Sequence, residues 1–198
     1  RREIALRALQ AEAGEIGPIC YITQAYCAGI NLAEWIGRQG SISATVAARI
    51  VADLADGVAH AHDRGVLHRD LKPSNVLLET HAEASDPDRY SPRVPGAIDF
   101  TPKLTDFGLA KVLEPDGDET TTGAVVGTAF YMSPEQACGQ HDAIGPATDV
   151  YGLGAILYEL LVGSVVFRGN SHVDTLRKVA SEDPRAPRAL RSNLPRDL

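Results

Sequence analysis

One short run of this 198-residue chain, His68-Arg69-Asp70-Leu71-Lys72-Pro73-Ser74-Asn75, gathers several reactive side-chain types. Asp70 supplies a carboxylate able to accept a proton. Lys72, two positions on in an extended, proline-containing loop, projects to the same side and sets a positive charge beside it, a pairing suited to moving an anionic group. Further along come Asp106-Phe107-Gly108, Gly127-Thr128-Ala129-Phe130-Tyr131, Ser133-Pro134-Glu135 and then Asp149. Other versatile residues do not form sets. Cys20, Cys27 and Cys138 are odd in number and lack CxxC spacing, which argues against a disulfide framework or zinc knuckle and fits a reducing cytosol. His60 and His62 lie two apart on a helical stretch and face different sides, so with His68 they make no shared metal site.

The order and spacing of these segments resemble the signature set of protein kinases. A lone DFG or HRD is weak evidence, whereas HRDLKPSN followed by DFG and SPE is hard to obtain by chance. The resemblance implies ATP as co-substrate, Mg2+ or Mn2+ as the metal, and Ser or Thr hydroxyls of proteins as acceptors. Asp70 is then the acceptor of the substrate hydroxyl proton, and Lys72 places positive charge beside the transferring phosphate. Asn75 completes the catalytic set and, with Asp106, supplies the oxygen ligands that a hard cation prefers. Gly108 lets the backbone turn sharply after Asp106, and Phe107 packs inward to hold that aspartate. Gln24 falls at the gatekeeper position, Ala25 and Cys27 offer backbone groups to the adenine edge, and Leu77 forms an apolar floor beneath the ring. Thr128 matches the loop that receives the substrate residue, Asp149 the aspartate that braces the catalytic loop, and His68 and Glu135 are structural members of their motifs. A buried Arg69 guanidinium near Thr120, Thr121 and Thr122 would pair with an added phosphate, a regulatory expectation. Lys72, in place of the Ala or Arg common in tyrosine kinases, resembles the Ser/Thr branch, and the compact, Ala- and Gly-rich style is similar to bacterial kinases of the eukaryotic type.

These residues need elements to position them. Residues 17–28 alternate loosely and predict a strand leading into a Gly-containing bend. Asn31 and Glu34 have the form of a capping box opening a short helix to about Gly37. From Ser43 to about Arg64, Ala47, Ile50, Val51, Leu54 and Val58 recur at three and four residues, one buried stripe on a long helix stopped by Gly65. Val66-Leu67 and Val76-Leu77-Leu78 read as brief strands flanking the reactive loop. Residues 79–102 are rich in Pro, Ser, Asp and Gly and read as an exposed insertion, with order resuming at Lys103. Ser133, Pro134 and Gln136 signal a helix start, Thr148 and Asp149 begin an apolar helix, and Ser171 with Asp174 begins another through Val179. Val150 to Phe167 is apolar but short and carries Glu159 and three glycines, so a helix buried within protein is expected there.

The net charge of −7 argues against a general nucleic-acid surface. The fold class expected is α+β: a protein-kinase-like fold represented mainly by its helical large lobe. Residues 1–24 would be the remnant of the small lobe, 25–31 the hinge and linker, and 32–198 the large lobe without its final helices. The start of the chain reads equally as the end of a small-lobe helix or as a lead into a strand over Leu6 to Ala13. Two kinase features are missing: there is no GxGxxG, and no lysine precedes Lys72. The expectation is therefore a cytoplasmic Ser/Thr protein kinase, inactive as these residues alone, whose parent is active and anchored to a membrane, if at all, by a segment outside them. The rival is a pseudokinase or scaffold that binds partners without catalysis, and intact Asp70, Lys72, Asn75 and Asp106 count against it. A small-molecule phosphotransferase is disfavoured by Lys72 and by Thr128 with its SPE segment.

Overall fold

The computed structural model describes residues 12–16, 19–23, 29–39, 42–80, 100–107 and 128–196. Strands β1 (Glu12–Ile16) and β2 (Ile19–Thr23) pair as an antiparallel hairpin. The sequence reads one strand over 17–28, where β2 falls; β1 overlaps the alternative strand over Leu6 to Ala13 at residues 12 and 13 and otherwise lies in neither reading. Helix α1 (Leu32–Arg38) follows, capped by Asn31, whose Oδ1 accepts from Glu34 N at 2.8 Å. The return bond differs from a full capping box, because Asn31 Nδ2 donates to Glu34 Oε1 at 3.0 Å and the backbone donor does not take part.

Helix α2 (Ala44–His62) buries Ala47, Ile50, Leu54 and Val58, the stripe its periodicity predicts, with Val51 at the stripe's half-buried margin. Ser43 Oγ accepts from Val46 N at its start, and at its end Gly65, with φ 72°, turns the chain so that Val66 N reaches back to Ala61 O at 3.0 Å. Residues 66–72 then run without regular structure to a single 3-10 turn, Pro73–Asn75. Val66 and Leu67 form no strand, contrary to the sequence reading, and Val66 stays 45% exposed, so its apolar character serves no ladder.

Strands β3 (Val76–Thr80) and β4 (Phe100–Leu104) pair antiparallel, with Val76 opposite Leu104 and Leu78 opposite Pro102. The proline is tolerated for a geometric reason. Leu78 N donates outward to Ile30 O at 3.0 Å, so Leu78 and Pro102 form a pair that exchanges no ladder bonds, and the missing proline N–H costs nothing. The sequence had assigned 79–102 to an exposed insertion; Glu79, Thr80 and Phe100–Pro102 belong instead to the sheet, Pro102 is buried, and 81–99 lie outside the described residues. Trp35 meets Phe100 edge to face at 5.5 Å between centroids, joining α1 to β4.

Among the described residues, 128–196 contain helices and no strand. Helix α3 (Pro134–Ala137) has a true capping box between Ser133 and Gln136. Helix α4 (Pro146–Val162) begins two residues before the Thr148-Asp149 pair, with Pro146 at its first position, where a missing N–H is harmless. Thr148 still helps to open it, accepting from Gly145 N at 3.2 Å. Gly163, at φ 79°, ends it, and no helix among the described residues is long and apolar enough to cross a membrane. Helices α5 (His172–Ser181) and α6 (Pro187–Leu190) follow. Leu32, Ile50, Leu54, Leu78, Ile156 and Leu160 are each 2% exposed or less, and they form the centre of a core shared by α1, α2, β3 and α4. At Gly152 the reactive loop comes so close to α4 that a Cβ there would stand 2.8 Å from Leu71 Cβ, which fixes how deeply the loop sits on the helix.

Candidate active site

The loop between α2 and β3 is held from behind by one buried carboxylate. Asp149, on the first turns of α4 and 1% exposed, accepts from His68 N at 2.9 Å and from His62 Nε2 at 2.7 Å through Oδ2, and from Arg69 N at 2.7 Å through Oδ1. Three donors offset the desolvation that an isolated buried charge could not bear. Arg69 itself occupies the left-handed region, φ 66°, which a side-chain-bearing residue adopts only when its surroundings enforce it. Its carbonyl accepts from Gln136 Nε2 at 2.6 Å. The Arg69 side chain is exposed, not buried as the sequence reading had it: both main-chain groups are held and the guanidinium projects outward. Thr120, Thr121 and Thr122 lie outside the described residues.

Directly after this clamp, four predicted residues meet. Lys72 Nζ stands 2.8 Å from Asp70 Oδ2 and donates to Thr128 Oγ1 at 3.0 Å. Asn75 Nδ2 donates to Asp70 O at 2.9 Å and to Asp70 Oδ2 at 3.0 Å. Those two bonds use both hydrogens of the Asn75 amide nitrogen and leave its oxygen to act as a ligand. Asp70 keeps 24% of its side chain exposed and Lys72 21%, so the pair is open to a substrate.

Asp106 is brought to the same place from β4. Thr105 N donates to Asn75 O at 3.0 Å, and Thr105 Oγ1 lies 3.3 Å from Asn75 O and 3.4 Å from Asp106 Oδ2. Asp106, like Arg69, is a non-glycine residue at positive φ, 61°, and its carboxylate is exposed. Two oxygen donors, Asn75 Oδ1 and the Asp106 carboxylate, thus hang from one short bridge, a donor set that fits a hard divalent cation keeping several waters. Among the described residues no cluster of three or more His, Cys, Asp or Glu side chains offers a competing metal site.

Phe107 lies half-buried with its ring 4.6 Å from that of His68. Burial holds the His68 imidazole below its ordinary value of 6.5, against the upward pull of Asp149 and Asp70. The folded protein therefore binds that proton less readily than the unfolded chain does. The stability this contributes is complete above pH 6.5 and is lost as pH falls through the lowered folded value. His68→Leu is expected to flatten the acid limb of a urea-midpoint against pH curve; an unchanged limb would remove His68 from the explanation.

Of the other predicted residues, Leu77 is half-buried on β3 and bridges to Asn31, the residue that caps α1. Glu135 accepts from Thr148 Oγ1 at 2.6 Å, tying α3 to the start of α4. Gln24, Ala25, Cys27 and Gly108 lie outside the described residues. Several contacts escaped sequence reasoning. Glu159, noted only as a charge spoiling a membrane span, accepts from Tyr131 Oη at 2.6 Å, and burial pushes both groups' pKa values up. Arg168 lies 5.5 Å above the centre of the Phe130 ring, so the segment carrying Thr128 is seated by a polar and a cation–π contact. His62 and Gln136 were missed as supports of the loop, although His62 ends a helix close to the motif and Gln136 carried a capping signal.

Residues 15–195 match the family model described as protein kinase domain. The chain is 34% identical over 183 residues to the serine/threonine-protein kinase PknB of Mycobacterium tuberculosis, a match covering 92% of this chain and 26% of that protein. It is 38% identical over 160 residues to the serine/threonine-protein kinase PkaA of Streptomyces coelicolor, covering 80% and 26%. To the serine/threonine-protein kinase pkn3 of Myxococcus xanthus it is 36% identical over 181 residues, covering 90% and 29%. The chain thus spans about a quarter of the length of the curated relatives it matches.

Proposed function

From the premise that this chain belongs to the protein kinase family, we propose that the protein carrying it transfers the γ-phosphate of ATP to Ser or Thr hydroxyls of protein substrates. The observation that carries the proposal is the convergence of Lys72, Asn75 and a substrate-side hydroxyl, Thr128, around Asp70. Asp70 accepts the proton of the attacking hydroxyl, whose oxygen forms the new bond to the γ-phosphorus as the bond to the bridging oxygen of ADP breaks. Lys72 leaves its resting contact with Asp70 for the phosphate, so that positive charge lies where negative charge spreads. Asn75 and Asp106 hold the divalent cation, Mg2+ or Mn2+, which when bound neutralises phosphate charge. Thr128 sits at the substrate side, while Asp149, His68, Phe107 and Glu135 keep the loop and its neighbours in place. Gln24, Ala25, Cys27 and Leu77 are assigned to the adenine.

The domain division proposed is 1–24 small-lobe remnant, 25–31 hinge and 32–198 large lobe, working in the cytoplasm. Positioning supplies most of the catalysis in phosphoryl transfer, and these residues contain neither a Gly-rich loop nor a lysine before Lys72. We therefore expect the full-length protein to label a protein acceptor from [γ-32P]ATP with Mg2+, and the 198 residues alone to be inactive. A full-length protein that binds partners and ATP but transfers nothing would favour the scaffold reading.

A further inference from the structure

We infer that Gln136 is a positioning residue for Asp70, joining the substrate-side helix α3 to the peptide that precedes the catalytic carboxylate. This rests on the reading of Asp70 as proton acceptor. The amide of Gln136 faces two ways. Its Oε1 accepts from Ser133 N at 3.0 Å within the cap of α3, which assigns the oxygen end and turns Nε2 toward Arg69 O at 2.6 Å. The capping box alone explains the first bond but not the second, which crosses 67 residues of sequence.

The second bond matters because of where it falls. Arg69 is left-handed, at φ 66°, and such a conformation persists only when it is held from several directions. Asp149 holds its N–H at 2.7 Å; Gln136 holds its C=O. That carbonyl belongs to the peptide linking Arg69 to Asp70, so its orientation sets the direction in which Asp70 leaves the turn. The N–H of the same peptide has only a long contact, 3.4 Å to His68 Nδ1, and does little to fix the plane. Gln136, through the Arg69 carbonyl, is therefore the main restraint on the plane of this peptide. Because the same side chain caps the helix that follows Thr128, the proton acceptor and the substrate-side segment move as one unit.

Two substitutions in the full-length protein separate capping from positioning. Gln136→Glu keeps an oxygen for Ser133 N but sets a carboxylate against the Arg69 carbonyl. Gln136→Lys keeps a donor for that carbonyl but gives up the return bond to Ser133 N, leaving only the half of the capping box that the Gln136 main-chain N–H makes to Ser133 Oγ. The expected result is that Q136E leaves the KM for ATP unchanged and lowers kcat by up to about 10²-fold, the scale on which misplaced reacting groups lose rate, out of proportion to any fall in its melting temperature. Q136K is expected to lower the melting temperature and retain most of kcat. If kcat follows the melting temperature in both variants, or is unchanged in Q136E, Gln136 is only a cap and the inference fails. Asp70→Asn, run alongside, identifies the other failure: wild-type transfer that survives this change overturns the reading of Asp70 itself.

Discussion

Asp70→Asn is expected to lower phosphoryl transfer by about 10²–10⁴-fold while leaving the fold intact, because a general base contributes on that scale. The substitution is nearly isosteric. An asparagine oxygen can still accept from Asn75 Nδ2, which also bonds the Asp70 main-chain carbonyl, so the loop keeps its shape. The carboxylate is a quarter exposed, and Lys72, itself in part open to solvent, keeps Thr128 as a partner when the charge on Asp70 is removed, so no cation is left buried and unpaired. What disappears is the acceptor for the hydroxyl proton. Lys72 is then released from Asp70 but keeps Thr128, so its charge remains at the site. Saturating-ATP transfer rates beside nucleotide binding and urea midpoints check the separation: a variant that loses rate only in proportion to folded protein contradicts it.

Asp149→Asn is expected to cost about 2–5 kcal/mol of stability, since it replaces one acceptor oxygen by an amide N–H facing donors, and each buried donor left unpaired costs about 1–3 kcal/mol. His68 N, Arg69 N and His62 Nε2 all converge on this 1%-exposed side chain. The alternative is that Asp149 only complements the positive end of α4. That effect amounts to about 0.3–1 kcal/mol and falls with salt. Urea unfolding at low and high salt distinguishes them, and hydrogen exchange at His68 and Arg69 amides locates the loss. Fast exchange at both amides with a salt-insensitive deficit is the expected pattern. A small, salt-sensitive deficit with protected amides would reduce Asp149 to a helix-end charge.

Much of the positioning frame was legible because it is local. The α2 stripe, the caps at Asn31, Ser133 and Ser171, and the stop at Gly65 are each decided by residues within a turn or two. The motifs likewise named Asp70, Lys72, Asn75 and Asp106 as neighbours-to-be. The failures share a physical cause. Val66-Leu67 looked like a strand by composition, yet a strand needs a partner, which sequence does not supply. Pro102 argued for a loop, but Leu78 turns its N–H outward and makes the position harmless. Thr148 and Asp149 read as the opening of α4, whereas Pro146 begins it and frees Asp149 to face the loop.

The supports of the site were the least legible part. Gln136 spends one end of its amide on a local cap and the other on Arg69, and only the first has a sequence signature. Tyr131 and Glu159 meet because the segment after Thr128 lies along α4, a matter of packing rather than pattern. Arg69 was read as buried from its motif, while the structure holds its backbone and leaves its side chain in solvent.

The most direct test of the central claim is phosphoamino acid analysis of protein acceptors labelled from [γ-32P]ATP and Mg2+ by the full-length protein, with Asp70→Asn in parallel. The account predicts label on serine or threonine, dependent on the cation and nearly absent with the variant. Label on tyrosine alone, or equal label with and without the Asp70 carboxylate, would contradict it.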